Sequence, residues 1–153
     1  MFKMKMRHFV VGTALLAMAS APAIAADKNY TKGSVWRVDM IRVDPGRMDD
    51  YIDSLKAEYT TVMEQAIKEK VILSYKIMVG DSANPQDWDV LILIEAPNWA
   101  SIDTAEAKFD AIGTKLRGSM EKSDAMDKEA MADRAKIRHI FGGKAMQEIH
   151  YVK

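Results

Sequence analysis

Four charged side chains fall on predicted strands at positions that would place them on one face of a sheet. They are Arg37, Asp39, Lys76 and Asp89. Residues two apart on a strand share a face, and charges on a covered face are costly unless they are paired or solvated. A polar cluster in apolar surroundings is a candidate small-molecule pocket. The alternative is a structural ion pair of Arg37 with Asp39 or Asp89, which needs no ligand.

Aromatic and histidine side chains add further candidates. Tyr75 and Trp88 lie on the same predicted strands and are candidate ligand contacts, although core packing also accounts for them. His150 and Glu148 share a face of the last strand, which makes His150 a candidate catalytic acid or base. The chain has no cysteine and no HExxH or HxH spacing, so we expect no metal and no cofactor.

The first 25 residues have the features of a secretory signal peptide. Three basic residues precede an apolar run at 9–19, and Ala23-Ile24-Ala25 places small residues before a cleavage bond. We therefore expect a Sec-type signal cleaved near Ala25 and a periplasmic or secreted protein. The apolar run is too short for a membrane core of roughly 30 Å, and no later stretch is a better candidate, so we expect no membrane anchor after cleavage.

The charge balance changes once the predicted signal is removed. The whole chain has 22 Lys and Arg residues against 22 Asp and Glu residues, and three of the bases and none of the acids precede Ala26. The mature chain therefore has 19 bases and 22 acids. This mild acidity argues against nucleic-acid binding, which depends on a strong positive excess. The remaining length predicts one domain that folds without disulfides or metal.

The elements that would position these side chains follow a simple order. Residues 26–33 are polar and predict a flexible leader, and residues 34–153 predict one domain. Apolar alternation predicts strands at 34–43, 71–79, 88–94 and 145–152, with a turn at Gly142-Gly143. Spacings of three and four predict helices at 48–70, 99–116 and 119–138.

This order predicts an α+β fold, in which a four-stranded antiparallel sheet carries its helices on one face. We expect the helices to cover the Trp36 face, which leaves Arg37 and Asp39 on the opposite face with Lys76 and Asp89. The third strand is apolar on both sides. The face opposite the helices is therefore too apolar to be left exposed to solvent. A second copy packed sheet against sheet would cover it, which predicts a homodimer.

The chain resembles the dimeric α/β-barrel proteins of the ferredoxin-like βαββαβ fold, and most of all a group of uncharacterised exported bacterial members. The resemblance covers nearly all of the mature chain and implies the strand order four, one, three, two. Heme-degrading relatives use a histidine on a helix beside the pocket, and helices 48–70 and 99–116 contain none. The segments that carry the resemblance are Val43-Asp44-Pro45-Gly46, Ile72-Leu73-Ser74-Tyr75-Lys76, Asp87-Trp88-Asp89-Val90, Asn98-Trp99-Ala100, Glu106-Ala107-Lys108-Phe109-Asp110-Ala111-Ile112 and Phe141-Gly142-Gly143-Lys144.

Together these features predict an exported homodimer that binds a small apolar or aromatic molecule in the cavity between its two sheets. The sequence leaves open whether the protein is an enzyme. One alternative is a cofactor-independent monooxygenase or isomerase acting in that cavity, as other members of the family do. The other is a structural or stress-related interaction protein with no ligand, in which the barrel is packed closed.

Overall fold

The computed structural model describes residues 29–152, so the predicted signal peptide and the start of the predicted leader lie outside the described residues. None of the helices in this range is both long and apolar enough to cross a bilayer. A π-helical turn, Leu55–Tyr59, joins the first two helices without interruption. The elements are β1 (Tyr30–Val43), α1 (Met48–Ser54), α2 (Thr60–Lys68), β2 (Ser74–Val79), β3 (Val90–Ala96), α3 (Trp99–Asp103), α4 (Ala105–Arg117), α5 (Met120–Ala135) and β4 (Arg138–Tyr151).

The strands form one antiparallel sheet in the order β2-β3-β1-β4. On one side β1 pairs with β3, from Val35 opposite Ala96 to Ile41 opposite Val90, and on the other side it pairs with β4. The helices follow β1 and β3, which gives the βαββαβ order of the ferredoxin-like fold. The predicted α+β fold class and strand order are confirmed.

The two faces of β1 are the reverse of those predicted. The helices cover the face with Arg37 and Asp39, where Ile41 and Val43 are both 2% exposed in the core. Trp36 lies on the other face, beside Lys76. The prediction was wrong because β1 is apolar on both faces. The face without helices, which we call the open face, holds the larger side chains, and compact β-branched ones fit beneath the helices.

Two apolar clusters lie between the sheet and the helices. The first joins β1 and β3 to α1, the π turn and the residue before β4, and consists of Ile41, Val43, Tyr51, Leu55, Val90, Ile92 and Ile137. The second joins α2 to α4 and to the segment before β2, and consists of Met63, Ala66, Val71, Ile72 and Ile112.

Two strands extend further than predicted. β4 begins at Arg138, so Gly142 and Gly143 lie inside the strand and not in a turn. The pairing with β1 shifts by one residue near Phe141, where Gly142 has a φ of 137°, a conformation that glycine adopts without strain. β1 begins at Tyr30, so residues 30–33 belong to the strand and not to a flexible leader.

The second helical region, predicted as one helix at 99–116, breaks at Thr104 into α3 and α4. Asn98 caps α3, since its Oδ1 accepts a hydrogen bond from the backbone N–H of Ser101 at 2.9 Å. Gly113 lies within α4, where an added β-carbon would collide with the Ser123 hydroxyl of α5. The missing side chain therefore permits the close packing of α4 against α5.

Candidate functional site

A cavity of about 890 Å³ lies between the sheet and the helices. The floor consists of the helix-facing residues of β1, β3 and β4, and the roof consists of the π turn, α3, α4 and the end of α5. Most of its wall is apolar, as is usual for small-molecule sites of this size. It lies within one chain, on the sheet face opposite to the one on which an inter-sheet cavity was expected. The apolar wall includes Leu55, Ile92, Ile94, Ile102 and Phe109.

Arg37 and Asp39 lie together on the cavity floor. The Nε atom of Arg37 is 3.3 Å from both carboxylate oxygens of Asp39, so the ion pair considered from the sequence is present. The Arg37 side chain is 62% exposed and that of Asp39 is 24% exposed, so the pair contributes at most about 1 kcal/mol. Gly143 lies directly across from Asp39 on β4. A β-carbon there would collide with the Asp39 carboxylate.

The π turn places Tyr59 in the roof, over this ion pair. Its hydroxyl is buried and has no hydrogen-bond partner among the described residues. Burial raises the pKa of Tyr59, and the nearby Asp39 carboxylate raises it further. The phenol therefore stays protonated and is available as a hydrogen-bond donor. Its ring packs edge to face on Tyr75, with 6.1 Å between ring centroids.

Arg134, in the last turn of α5, is 8% exposed and borders the cavity. Its Nε and Nη1 atoms are buried without a hydrogen-bond partner among residues 29–152. Burial lowers the pKa of Arg134, and the neighbouring Arg138 lowers it further. Arginine nevertheless stays charged in proteins, so the cavity contains a buried cation without a partner.

Arg138, the first residue of β4, lies next to Arg134 on the cavity wall. Its Nη1 donates a hydrogen bond of 3.0 Å to the hydroxyl of Tyr51, and its guanidinium carbon lies 5.5 Å from the centre of that ring. Its Nη2 contacts the sulfur of Met131 at 3.5 Å. The Nε atom of Arg138 is also buried without a partner. Tyr51 therefore fixes the orientation of Arg138 and leaves part of its donor capacity unused.

A smaller cavity of about 310 Å³ adjoins the first and shares Arg134 with it. Arg117 spans this space, with Nη1 at 2.8 Å from Asp127 and at 3.0 Å from the hydroxyl of Ser123. Glu58, from the π turn, has a buried carboxylate oxygen without a partner. Arg117 is therefore a structural link between α4 and α5. Arg134 and Tyr59 border both cavities, and both have buried polar atoms without a partner among the described residues.

Most of the other predicted site residues lie away from the cavity. Lys76 is on the open face of the sheet, with its ammonium 5.2 Å from the centre of the Trp36 ring. Asp89 pairs with Arg42 at 3.4 Å and accepts a hydrogen bond from the backbone of Val43, so it ties β3 to β1. Neither residue joins the pair of Arg37 and Asp39.

The aromatic and histidine candidates are also separated. Tyr75 lies behind Tyr59 on the helix-facing side, and Trp88 is 38% exposed in the loop before β3. His150 Nε2 lies 3.7 Å from a carboxylate oxygen of Glu148, and both side chains are about half exposed near the end of β4. Within the described residues, no group of three or more His, Asp or Glu side chains is arranged to hold a metal ion.

Sequence reasoning missed Tyr59, Arg134 and Arg138. Tyr59 fitted the helical spacing of core residues, and nothing in the sequence marked the π turn. The two arginines are four residues apart, which is typical of one charged helix. The available signal was Ile137, a single apolar residue after a charged stretch, because it marks the end of α5 and the entry into β4.

Comparison with known proteins adds two remote structural likenesses. No protein-family model matches the chain, and no curated protein matches it. A dimeric ferredoxin-like protein from an uncultured marine organism is 12% identical, covers 80% of this chain and 96% of its own, and has a TM-score of 0.44. A heme-binding protein from Thermus thermophilus is 18% identical with a TM-score of 0.41. The match covers 79% of this chain but only 42% of that protein, and neither likeness bears on what this chain binds.

Proposed function

We propose that this protein binds a small molecule with an apolar or aromatic body in the cavity between the sheet and the helices. The size of the cavity is the main support for this proposal. Its volume of about 890 Å³ falls in the range of roughly 300–1,000 Å³ that is typical of ligand pockets.

The wall chemistry defines the class of ligand. Ile92 and Ile94 on the floor and Phe109 in the roof offer an apolar slot for a flat or branched hydrocarbon body. The Tyr59 hydroxyl supplies a donor beside it. The pair of Arg37 and Asp39 lies at the more exposed side of the floor, where both side chains remain partly hydrated. Catalysis in this cavity stays a prediction.

Binding of naphthamide, an uncharged aromatic probe, tests the proposal by calorimetry. Ala105 borders the cavity at the start of α4, whereas Ala107 is exposed on the same helix. Ala105→Leu fills part of the space and should weaken binding at least about tenfold, while Ala107→Leu should leave it unchanged. Wild-type protein that does not bind the probe, or two variants with equal affinity, would argue for the alternative without a ligand.

We also infer that a second copy covers the open face of the sheet. Val38 and Leu93 are cross-strand partners at its centre, and Met78 and Met146 are 54% and 55% exposed on the same face. Lys76 and Glu95, which have opposite charges, lie on this face as well. Light scattering should give twice the mass of the chain for the wild type and a monomer for Val38→Glu. A wild-type monomer contradicts this inference.

Export is a further proposal, supported by the sequence of residues 1–25. Intact mass measurement on protein from a periplasmic fraction should give a chain that begins at Ala26. A chain that keeps Met1 and stays in the cytoplasmic fraction would exclude export by this signal.

A further inference from the structure

Two neighbouring arginines at one end of the cavity have donors that nothing in the described chain uses. Arg134 is 8% exposed, and its Nε and Nη1 atoms are buried without a partner. The Nε atom of Arg138 is in the same state. Burying a charge without a partner costs far more free energy than burying a polar group whose hydrogen bonds are satisfied. Two adjacent like charges are therefore an unfavourable arrangement for packing alone.

The acidic residues nearby do not neutralise Arg134. Glu58 and Asp127 both favour its charged form electrostatically, yet neither forms an ion pair with it. Asp127 is committed to Arg117 at 2.8 Å, and a carboxylate oxygen of Glu58 is itself buried without a partner. The end of α5 does favour a cation through the helix dipole. That effect does not require the cation to be buried, nor to lie beside a second one.

We propose that Arg134 and Arg138 bind a carboxylate group on the ligand. This inference rests on the proposed function, because the apolar body of the same ligand would occupy the cavity. A guanidinium group presents its N–H donors in a planar fork that matches the two oxygens of a carboxylate. Tyr51 already holds Arg138 in place through Nη1, so little side-chain freedom is lost when the anion binds.

The remaining polar groups of the cavity fit this orientation. Arg37 is a poorer anchor than Arg134, because Asp39 already pairs with it and its side chain is 62% exposed. The ligand carboxylate therefore lies at the Arg134 end, with its apolar body directed toward Ile102 and Phe109. The ligand class is a small aromatic or branched aliphatic carboxylic acid.

A matched pair of probes, naphthoate and its uncharged amide naphthamide, tests the inference by calorimetry. Wild-type protein should bind naphthoate about tenfold or more tightly than naphthamide, because hydrogen bonds to charged groups are the stronger ones. Arg134→Met keeps an unbranched apolar side chain about as long as the Arg134 stem but removes the guanidinium charge, so the preference should disappear while naphthamide affinity stays the same. Arg37→Met is the control, and it should keep the preference.

The outcomes separate the two proposals. Equal wild-type affinities for the two probes, or a preference that persists in Arg134→Met, would overturn the carboxylate site and leave the cavity proposal standing. Failure of both probes to bind the wild type would overturn the proposed function itself. The wild-type comparison needs no substitution, so it decides the question even if Arg134→Met does not fold.

Discussion

The carboxylate of Asp39 occupies the space that a side chain on Gly143 would need. The two residues are cross-strand neighbours on β1 and β4. A β-carbon on Gly143 would collide with a carboxylate oxygen of Asp39 and would lie 3.4 Å from the backbone oxygen of Val38. The missing side chain of Gly143 thus leaves room for the Asp39 carboxylate, which pairs with the Arg37 guanidinium on the floor of the cavity.

Gly143→Ala should therefore destabilise the protein by about 1–3 kcal/mol, the usual cost of overpacking. Urea denaturation of the variant and the wild type measures the difference. Gly80→Ala is the matched control, because nothing lies within 4 Å of its added β-carbon. A second variant, Asp39→Ala with Gly143→Ala, should recover part of the loss. Equal stabilities for the two single glycine variants would mean that Asp39 moves aside without cost.

The hydrogen bond between Arg138 and Tyr51 should also contribute to stability. Tyr51 is fully buried, and its hydroxyl accepts from Arg138 Nη1 at 3.0 Å. Tyr51→Phe removes the acceptor from a charged donor, which should cost about 1.5–3 kcal/mol in urea denaturation. Tyr75→Phe is the control, since the Tyr75 hydroxyl makes no hydrogen bond within residues 29–152. The stability of this variant should be near that of the wild type. A Tyr51→Phe variant that is as stable as the wild type would show that Arg138 finds another acceptor.

The pKa of Glu95 gives a prediction about pH. The Ser74 hydroxyl donates to Glu95 at 2.6 Å and holds the pKa of that carboxyl below its usual value. A lowered folded-state pKa contributes stability above the unfolded value of about 4.3, and this contribution is lost as the pH falls through the folded-state value. Ser74→Ala should raise the pKa of Glu95 in a carbon-detected NMR titration.

The same substitution should reduce stability at neutral pH, and the difference from the wild type should shrink as the solution becomes acidic. Ser82→Ala, in the loop after β2, is the control and should leave the Glu95 titration unchanged. A Glu95 pKa that does not move in Ser74→Ala would assign the lowered value to another neighbour.

The N-cap of α3 should contribute to stability through the Asn98 side chain. Asn98 Oδ1 accepts from the backbone N–H of Ser101 and, at 3.2 Å, from its hydroxyl. Asn98→Ala should destabilise the protein by about 0.5–2 kcal/mol in thermal or urea denaturation. Asn98→Asp keeps an acceptor oxygen and should stay close to the wild type. Because Ser101 borders the cavity, the alanine variant should also weaken naphthamide binding. Equal losses for both variants would show that the backbone holds α3 without the cap.

The fold was predictable from sequence because its pattern is redundant. The periods of the helices and strands, their order and the short loop between β2 and β3 all point to one topology. Prediction of the site depended instead on which face of β1 packs against the helices. Trp36 and Ile41 are both apolar and lie on opposite faces, so alternation alone did not decide between them.

The cavity arginines were missed for a related reason. A charged residue in a helix pattern is normally taken to face water, and Arg134 has no sequence neighbour that marks it as buried. Its burial follows from the packing of the end of α5 near Tyr51 and Glu58, which is a property of contacts between residues far apart in the chain. Tyr59 likewise acquires its position from the π turn, which periodicity does not reveal.

The π turn at Leu55–Tyr59 lies between α1 and α2 in a continuous helical region. Its length sets how far the side chains of α1 are rotated about the helix axis relative to those of α2. A regular helix advances about 100° per residue, so removing one residue from the turn would rotate α1 by that angle relative to α2. Tyr51 would then leave Arg138, while Met63 and Ala66 would stay in their cluster. The length of this short segment is thus more tightly constrained than its composition, and single-residue deletions here should be far more damaging than substitutions at its exposed positions.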